Sequence, residues 1–579
     1  MARGTGTVTE AFPPHVLREY ALIADGQRGA LCGPHGELAW LCVPGWDDEA
    51  VLAGLLGSGG TYAITPIDRY VWGGSYEPGS LIWRNRWITN DTVVECREAL
   101  AFPGDEHRAV ILRRVEAVDR DVRVCVRLDV RAGHGRLSMH HVRRDDSGRW
   151  LARTGGLRLR WTGAADAVSD PDGGLRLDLF VAAGTHRDFV LEISDRQLPD
   201  PIDADVAWTT TEHTWQTAVP RFDDTVAPRD ARHAYAVLRG LTTRAGGMVA
   251  AATLGLPERA EAGRNYDYRY VWLRDQCYAG IAVGGHPLLD DAVRFVTARI
   301  LEHGDDLAPA YRVNGTALPE QTTLDLPDYP GGTAIAGNRV TGQFQLDAPG
   351  EALQLYAVAA AHDRMDGDSH RAADVAVRLI EKRWEQPEAG IWELHDDWWT
   401  HSRLACVAGL RAYAAHVPGS RAAELVGMAD RILAETSRRC MGRDGAWQRS
   451  PKETGVDASL LLPPVRGAVP ADDPRTVATL DAVRRDLVED GYVYRFAHGK
   501  RPLGDAEGAF LLCGFIMALA NWHQGRRTEA FRWFERNRAA CGPPGLLAEE
   551  YDVRQRQLRG NLPQAFVHAL LLDTARRLV

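Results

Sequence analysis

Between about residues 21 and 198, apolar residues recur at every second position. Val122, Val124, Val126, Leu128 and Val130 alternate with Arg123, Cys125, Arg127 and Asp129. One parity of this segment is wholly apolar, as in a strand with one buried face. Residues 157–161, 174–181 and 189–193 repeat the theme, and turns such as Asp170-Pro171-Asp172-Gly173-Gly174 separate them. Many short strands with turns between them predict a large antiparallel sandwich.

Pro199 and Pro201 break the pattern, and a linker is expected over 201–228. Beyond it the period becomes 3.6. Eleven helical stretches are expected: 229–243, 269–285, 287–303, 350–363, 369–385, 402–416, 420–438, 474–490, 505–522, 526–538 and 562–578. Pro563 is placed in the first turn of the last one, where its missing N–H does no harm. Two long non-helical stretches, 304–349 and 439–473, interrupt the series, and loops of that length are commonly functional. No repeat of fixed length marks a solenoid. Eleven helices and one unplaced would form six hairpins, a ring with its pocket at one loop-lined end. The expected domains are 1–200 (sandwich), 201–228 (linker) and 229–579 (helical).

The 579 residues are enough to bury a deep preformed cavity. With 45% hydrophobic and 25% charged residues, wholesale disorder is excluded. The net charge of −10 argues against a nucleic-acid partner. Only Lys382, Lys452 and Lys500 are lysines, and the arginine excess reads as coding bias. The nine cysteines form no Cys-x-x-Cys pair and suit reduced, buried thiols. No apolar run reaches the ~18–20 residues of a membrane span, and the first ten residues carry no secretory signal. The cytoplasm is the expected location.

Three clusters combine carboxylates with aromatics. Residues 264–275 hold three tyrosines, Trp272, three arginines and two aspartates. They suit a sugar site, where rings stack on C–H faces and charged groups bond hydroxyls. They equally suit a helix start with a salt-bridge network. In 390–401, Glu393 follows Trp392, and a carboxyl against an indole can keep its proton for general-acid work. An exposed glutamate near a helix N-terminus is the plainer reading. Residues 546–552 carry adjacent Glu549 and Glu550, of which one at most faces a given pocket. Read alone, they make a solvated acidic loop. Together the clusters offer the separated carboxylate pair that glycoside hydrolysis needs. No nucleophile elbow, P-loop or dinucleotide fingerprint competes, and His140-His141 reads as surface.

The order of motifs resembles glycoside hydrolase family 15, which holds glucoamylases, glucodextranases and actinobacterial trehalases. The resemblance covers nearly the whole chain. Residues 36–44 with Asp47 are similar to the opening of the family's bacterial N-terminal sandwich. Residues 265–275, 342–347, 390–393, 457–461, 507–513, 548–551 and 560–566 follow in the family's order. The resemblance implies an N-terminal antiparallel β-sandwich (supersandwich) followed by an (α/α)6 barrel. It implies inverting hydrolysis of a non-reducing terminal α-glucosidic bond, with Glu393 as general acid and Glu549 as base. In such a pair the carboxyls lie ~6.5–9.5 Å apart. Arg274 and Asp275 would grip the reacting glucose, and Arg495 would be a further sugar-binding arginine. Trp272 and Trp392 would form walls, with Tyr268 near the oxocarbenium-like centre. The chain departs from the family after Glu393, reading Leu394-His395-Asp396-Asp397-Trp398-Trp399. These residues are expected to change the size and charge of the leaving-group site.

Trehalose is the favoured substrate on this reading, since a cytosolic disaccharide fits a chain with no signal and no appended starch-binding module. A glucoamylase-like enzyme on malto- or isomalto-oligosaccharides is the alternative. A disaccharide phosphorylase shares the design, but Glu549 in its motif argues against it. A catalytically dead sugar-binding protein would not need both carboxylates. The family reaction uses no redox cofactor, and no ligand spacing supports a metal or the phosphate and magnesium response of some relatives. A small α-glucoside is the expected partner, with no nucleic acid and no membrane.

Overall fold

The computed structural model describes residues 12–171, 173–259 and 264–579. The first ten residues and Asp172, both used in the sequence reading, lie outside them.

The period-two region forms two eight-stranded antiparallel sheets among the described residues. The first runs Ala21–Ala24, Gly29–Cys32, Glu37–Cys42, Thr61–Pro66, Val122–Asp129, Leu175–Val181, Val168–Ser169, with Ala50–Leu52 beside Glu37–Cys42. The second runs His140–Arg144, Trp150–Thr154, Leu157–Thr162, His186–Ser194, Arg108–Ala117, Val93–Leu100, Trp83–Thr89, Tyr70–Tyr76. Val122, Val124, Val126 and Leu128 are buried as their alternation predicts, while Arg123 faces out. They join Trp83, Ile111 and Leu191 of the second sheet in one core.

The expected linker contains a helix, α1 (Ala204–Ala218), capped by the Asp203 carboxylate accepting from Val206 N–H at 3.0 Å. Its Trp215 stacks on Phe102 with ring centroids 4.3 Å apart, and Trp208 lies under Arg97. These contacts couple α1 to the second sheet.

Among the described residues eleven longer helices follow: α2 (Pro228–Leu241), α3 (Leu273–Val283), α4 (Leu288–His303), α5 (Asp347–Ala361), α6 (Gly367–Arg383), α7 (Thr400–Ala414), α8 (Gly419–Arg439), α9 (Pro474–Asp486), α10 (Leu511–His523), α11 (Arg527–Arg538) and α12 (Ala565–Arg577). The unplaced twelfth member is 458–465, a 3-10 turn running into one α-turn, buried throughout. It lies in the long stretch 439–473, expected from the sequence to be non-helical. Packing runs in a closed cycle: α3 touches α5, α5 touches α7, and α7 touches 458–465. That segment touches α10, α10 touches α12, and α12 returns to α3. Each of the six packs chiefly against one outer helix, namely α4, α6, α8, α9, α11 and α2 in that order. Residue choice follows position. α10 is apolar nearly all round, as a buried helix must be, whereas α8 buries only a stripe through Leu425, Met428, Ala429, Ile432 and Thr436.

Three expected starts are corrected. α3 begins at Leu273, not 269, because Val271–Trp272 pairs with Ala310–Tyr311 as strands. α10 begins at Leu511, not 505, because Ala509–Phe510 pairs with Glu550 and Tyr551. α12 begins at Ala565, and Pro563 lies outside it; Gln564 is the N-cap, its side chain accepting from Phe566 N–H at 3.1 Å.

Candidate active site

The short strands that delay α3 and α10 deliver side chains to one cavity of about 470 Å³. That is within the ~300–1,000 Å³ of small-ligand sites. Tyr268, Trp272, Arg274, Asp275, Trp392, Glu393, Arg495 and Glu549 all line it. Three distant motifs therefore converge, and every candidate named from the sequence reaches the same space.

Glu393 occupies the left-handed region at φ +54°. Its N–H donates to Gly390 O, and Leu394 N–H donates to Ala389 O, closing a tight turn. Its Oε1 accepts from Trp272 Nε1 at 2.6 Å and from Arg274 Nη2 at 3.4 Å. The indole that holds the carboxyl is thus Trp272, not its neighbour Trp392. The plainer reading fails too, since Glu393 precedes α7 by seven residues and lines the cavity instead of capping it.

Arg274 also donates to Gln345 Oε1 at 2.8 Å and lies 3.7 Å from Asp275 Oδ1 and 3.6 Å from Asp347 Oδ2. Among the described residues, Arg274 Nε and Asp275 Oδ1 are buried without a hydrogen-bond partner. Burial pushes Asp275 up to about 7, against the pull of Arg274. Unsatisfied buried polar atoms of this kind at the floor of a cavity suit a polyhydroxylated ligand.

Glu549 lies across an aromatic step. Its Oε1 accepts from Tyr268 Oη at 3.1 Å, and the Tyr268 ring meets Trp272 edge-on with centroids 5.5 Å apart. Tyr268 and Trp272 so connect the two glutamates. Glu550 turns away from the cavity: its Oε1 accepts from Arg495 Nη2 at 3.0 Å and its Oε2 from Gly508 N–H at 2.7 Å. Arg495 lines the cavity, with Nε and Nη2 also held by Glu507 at 2.9 and 2.5 Å.

Three lining residues, Glu258, Asn338 and Arg339, were not picked out by the sequence reading, whereas Gln343 and Phe566 lie in the motifs 342–347 and 560–566 without a role assigned there. Asn338 to Gln343 belong to the long stretch 304–349, whose length was the signal. Gln343 Nε2 reaches the Glu393 carbonyl at 3.5 Å. The divergent stretch after Glu393 contributes less than expected. Leu394 and His395 line the cavity, but Asp397, Trp398 and Trp399 do not. Asp397 is buried, accepting from Ser450 Oγ at 2.7 Å, and Trp398 and Trp399 lie under Arg403 and Arg449.

Residues 232–576 match the model of glycosyl hydrolases family 15, and residues 11–193 match a trehalase-like N-terminal model. The chain belongs to family 15. It is a glycoside hydrolase. The trehalase of Mycolicibacterium smegmatis is 28% identical over 98% of this chain and 91% of its own length. The trehalase of Mycobacterium tuberculosis is 28% identical over 97% and 89%. A bacterial glucoamylase solved with acarbose matches 100% of this family-15 chain and 96% of its own, with a TM-score of 0.64 at 12% identity. That likeness shows the fold.

One group outside the cavity, His186, Asp188 and Asp205, has metal-ligand spacing, but Asp188 already accepts from Arg114 at 2.8 Å. No helix among the described residues is long and apolar enough to cross a membrane.

Proposed function

We propose that this protein hydrolyses trehalose to two glucose molecules with inversion at the reacting carbon. The observation that carries the reading is the meeting of Glu393 and Glu549 in one cavity, joined through Tyr268 and Trp272. The trehalases that match this chain almost end to end support the substrate. The closed cycle of six inner segments and six outer helices supports an (α/α)6 barrel, with the site at one end.

In this reading Glu393 is the general acid. It gives its proton to the glycosidic oxygen as the bond to C1 breaks. Glu549 is the base: it takes a proton from water as the water oxygen bonds C1 from the opposite face. Tyr268 fixes Glu549, Arg274 and Asp275 bond the hydroxyls of the reacting glucose, and Trp272 and Trp392 wall it. Arg495 orders the carboxylates behind the base and completes the sugar site. Leu394 offers the leaving group no hydrogen bond, so Asn338, Arg339 and Gln343 supply its polar contacts. The chemistry runs on two carboxyls and water, without a cofactor. Nine free thiols, seven of them buried, support a reducing compartment, the cytoplasm.

Glucose release from trehalose, maltose, isomaltose, kojibiose and maltotriose, followed by NMR at early times with and without phosphate and magnesium, tests this. Trehalose should be cleaved fastest and should give β- and α-glucose in equal amounts at early times, because the reacting unit is inverted while the leaving unit keeps its α configuration, and E393Q should abolish turnover while sugar still binds. α-Glucose alone from trehalose at early times, or glucose 1-phosphate as product, would overturn the mechanism; preference for another sugar would overturn the substrate.

A further inference from the structure

Glu258 has no part in the reaction just described, yet it stands beside its base. The hydroxyl of Tyr268 lies 3.1 Å from Glu549 Oε1 and 3.4 Å from Glu258 Oε1. One hydroxyl proton cannot serve both. Glu549 Oε2 is buried and meets no N–H or O–H donor among the described residues. The carboxyl of Glu258 is within hydrogen-bonding reach of the Glu549 carboxyl. The local backbone fixes this approach. Gly560 N–H donates to Pro257 O at 2.9 Å, and a β-carbon at Gly560 (φ +79°) would lie 3.4 Å from Glu549 Oε2 and 3.7 Å from Glu258 Cγ. Gly560 thus lies against both side chains.

Charge arithmetic points the same way. Four buried carboxyls, Glu258, Glu507, Glu549 and Glu550, share two guanidinium groups, Arg264 and Arg495. Glu507 takes the best of both, with His498 also 3.4 Å away, and Glu550 takes Arg495 and a backbone N–H. Glu258 is left at 3.5–3.6 Å from the two cations, and among the described residues Glu549 has only the Tyr268 hydroxyl as a donor. Two carboxylates at contact in a dry site do not both ionise.

We propose that Glu258 is a positioning residue for the base: it and Glu549 hold a single proton between them, which aims the ionised Glu549 at the attacking water. This rests on the reading of Glu549 as the base. Burial raises Glu258 above the ordinary carboxylate range, against Arg495 and Arg264. Burial, then the charge of Glu258, raises Glu549 well above it. Burial also raises Glu550, whereas Glu507 is held low by Arg495 despite its burial. Tyr266 and Tyr268, the remaining titratable groups on this face, stay neutral because burial raises both.

The arrangement also discharges the base after turnover, while Glu393, having given its proton to the leaving glucose, takes another from solvent. Water gives one proton to Glu549, and the pair then holds two. Glu258 lines a second cavity of about 90 Å³ together with Tyr494, Glu507 and Gly508. A proton handed from Glu549 to Glu258 can leave by that side while sugar fills the front.

The test is the pH profile of kcat/KM for the full-length enzyme and its E258Q, E258A and E258D variants. In E258Q a weaker amide donor replaces the acid proton that steadies the ionised base, so the acid limb should move up by about one pH unit. The Gln amide still donates to Glu549, so E258A should lose about tenfold more plateau kcat than E258Q. A structural role alone would lower Tm and leave the limb in place. An unmoved acid limb in folded E258Q overturns the proposal. If E258Q does not fold, E258D takes its place, since it withdraws the carboxyl from Glu549, and an unmoved limb there overturns the proposal equally. E549A separates the two ideas. If E549A retains turnover, the base reading itself falls. If E549A is inactive, makes β-glucosyl azide with added azide, and E258Q keeps the parental limb, only this proposal falls.

Discussion

Glu393 is held where residues with a β-carbon seldom sit, and a left-handed backbone of this kind costs about 1–3 kcal/mol. The turn from Ala389 and Gly390 over-determines it and swings the carboxyl off Trp392 onto Trp272. Trp272 is therefore the residue on which the acid's aim depends. W272F removes a hydrogen bond to the carboxyl worth about 1.5–3 kcal/mol, so kcat/KM should fall roughly 10- to 150-fold. Steady-state kinetics on trehalose would check this, and a loss under about twofold would break the link. At this scale a sequence shows residue type and order and conceals partners. The motifs carry Glu393, Glu549 and the arginine-aspartate pair, since type and order are written in the chain. The partner of Glu393 is 121 positions away and depends on one backbone angle. Adjacency to Trp392 pointed to the wrong indole. Glu258 was missed for the same reason, because its meaning comes from Gly560 and Tyr268, not from its neighbours.

At the scale of elements, periodicity located nearly every long helix and the alternating strands, because each buries a face with its own period. It misjudged the starts of α3 and α10, where pairing with remote residues overrides local pattern, and these are the places that carry the site. The segment before α3 is also tied to the N-terminal sheets. Arg269 lies between Tyr268 and the strand carrying Trp272, fully buried. It donates to both oxygens of Asp267 at 2.8–2.9 Å and to Asp48 O at 2.6 Å, and reaches Cys42 Sγ at 3.3 Å. The N-terminal unit thus shapes the catalytic loop directly. R269M leaves Asp267 buried without its cation, a change worth about 3–5 kcal/mol. It should lower Tm and kcat/KM together, and adding D267N should recover part of the Tm. If R269M lost activity at unchanged Tm, Arg269 would be acting on substrate instead of on the loop.

For the whole molecule, one core runs from Trp40, Leu81 and Phe102 of the N-terminal unit through Trp215 of α1 into the inner helices, so the two units share their apolar interior. Opposed sets of buried titratable groups govern how this single body responds to pH. Burial lowers His134, His401 and His568 to about 4 and His233 to about 3. Their unfolded forms take up protons below about 6.5, so stability is lost as pH falls from there toward 4. Burial raises Glu37 to about 8 and Asp275 and Glu351 to about 7. Unfolded carboxyls have given up their protons by about pH 5 while the folded ones still hold theirs. The folded state then binds more protons, so stability falls as pH rises through about 7 to 8, until these groups ionise in place. The two slopes cancel in part between about pH 4.5 and 6.5, and only the carboxyl slope remains once histidine titration is complete. Tm should therefore peak on the weakly acidic side of neutrality and decline toward pH 8. E37Q and E351Q cannot ionise, so each should flatten that decline, and in combination they should flatten it further because they sit in different units. Scanning calorimetry from pH 5 to 9 would show it. A Tm that rises between pH 6.5 and 8 in the parent, or a decline of equal slope in both variants, would mean that these carboxyls are already ionised inside the fold and are stabilised there by partners other than those described above.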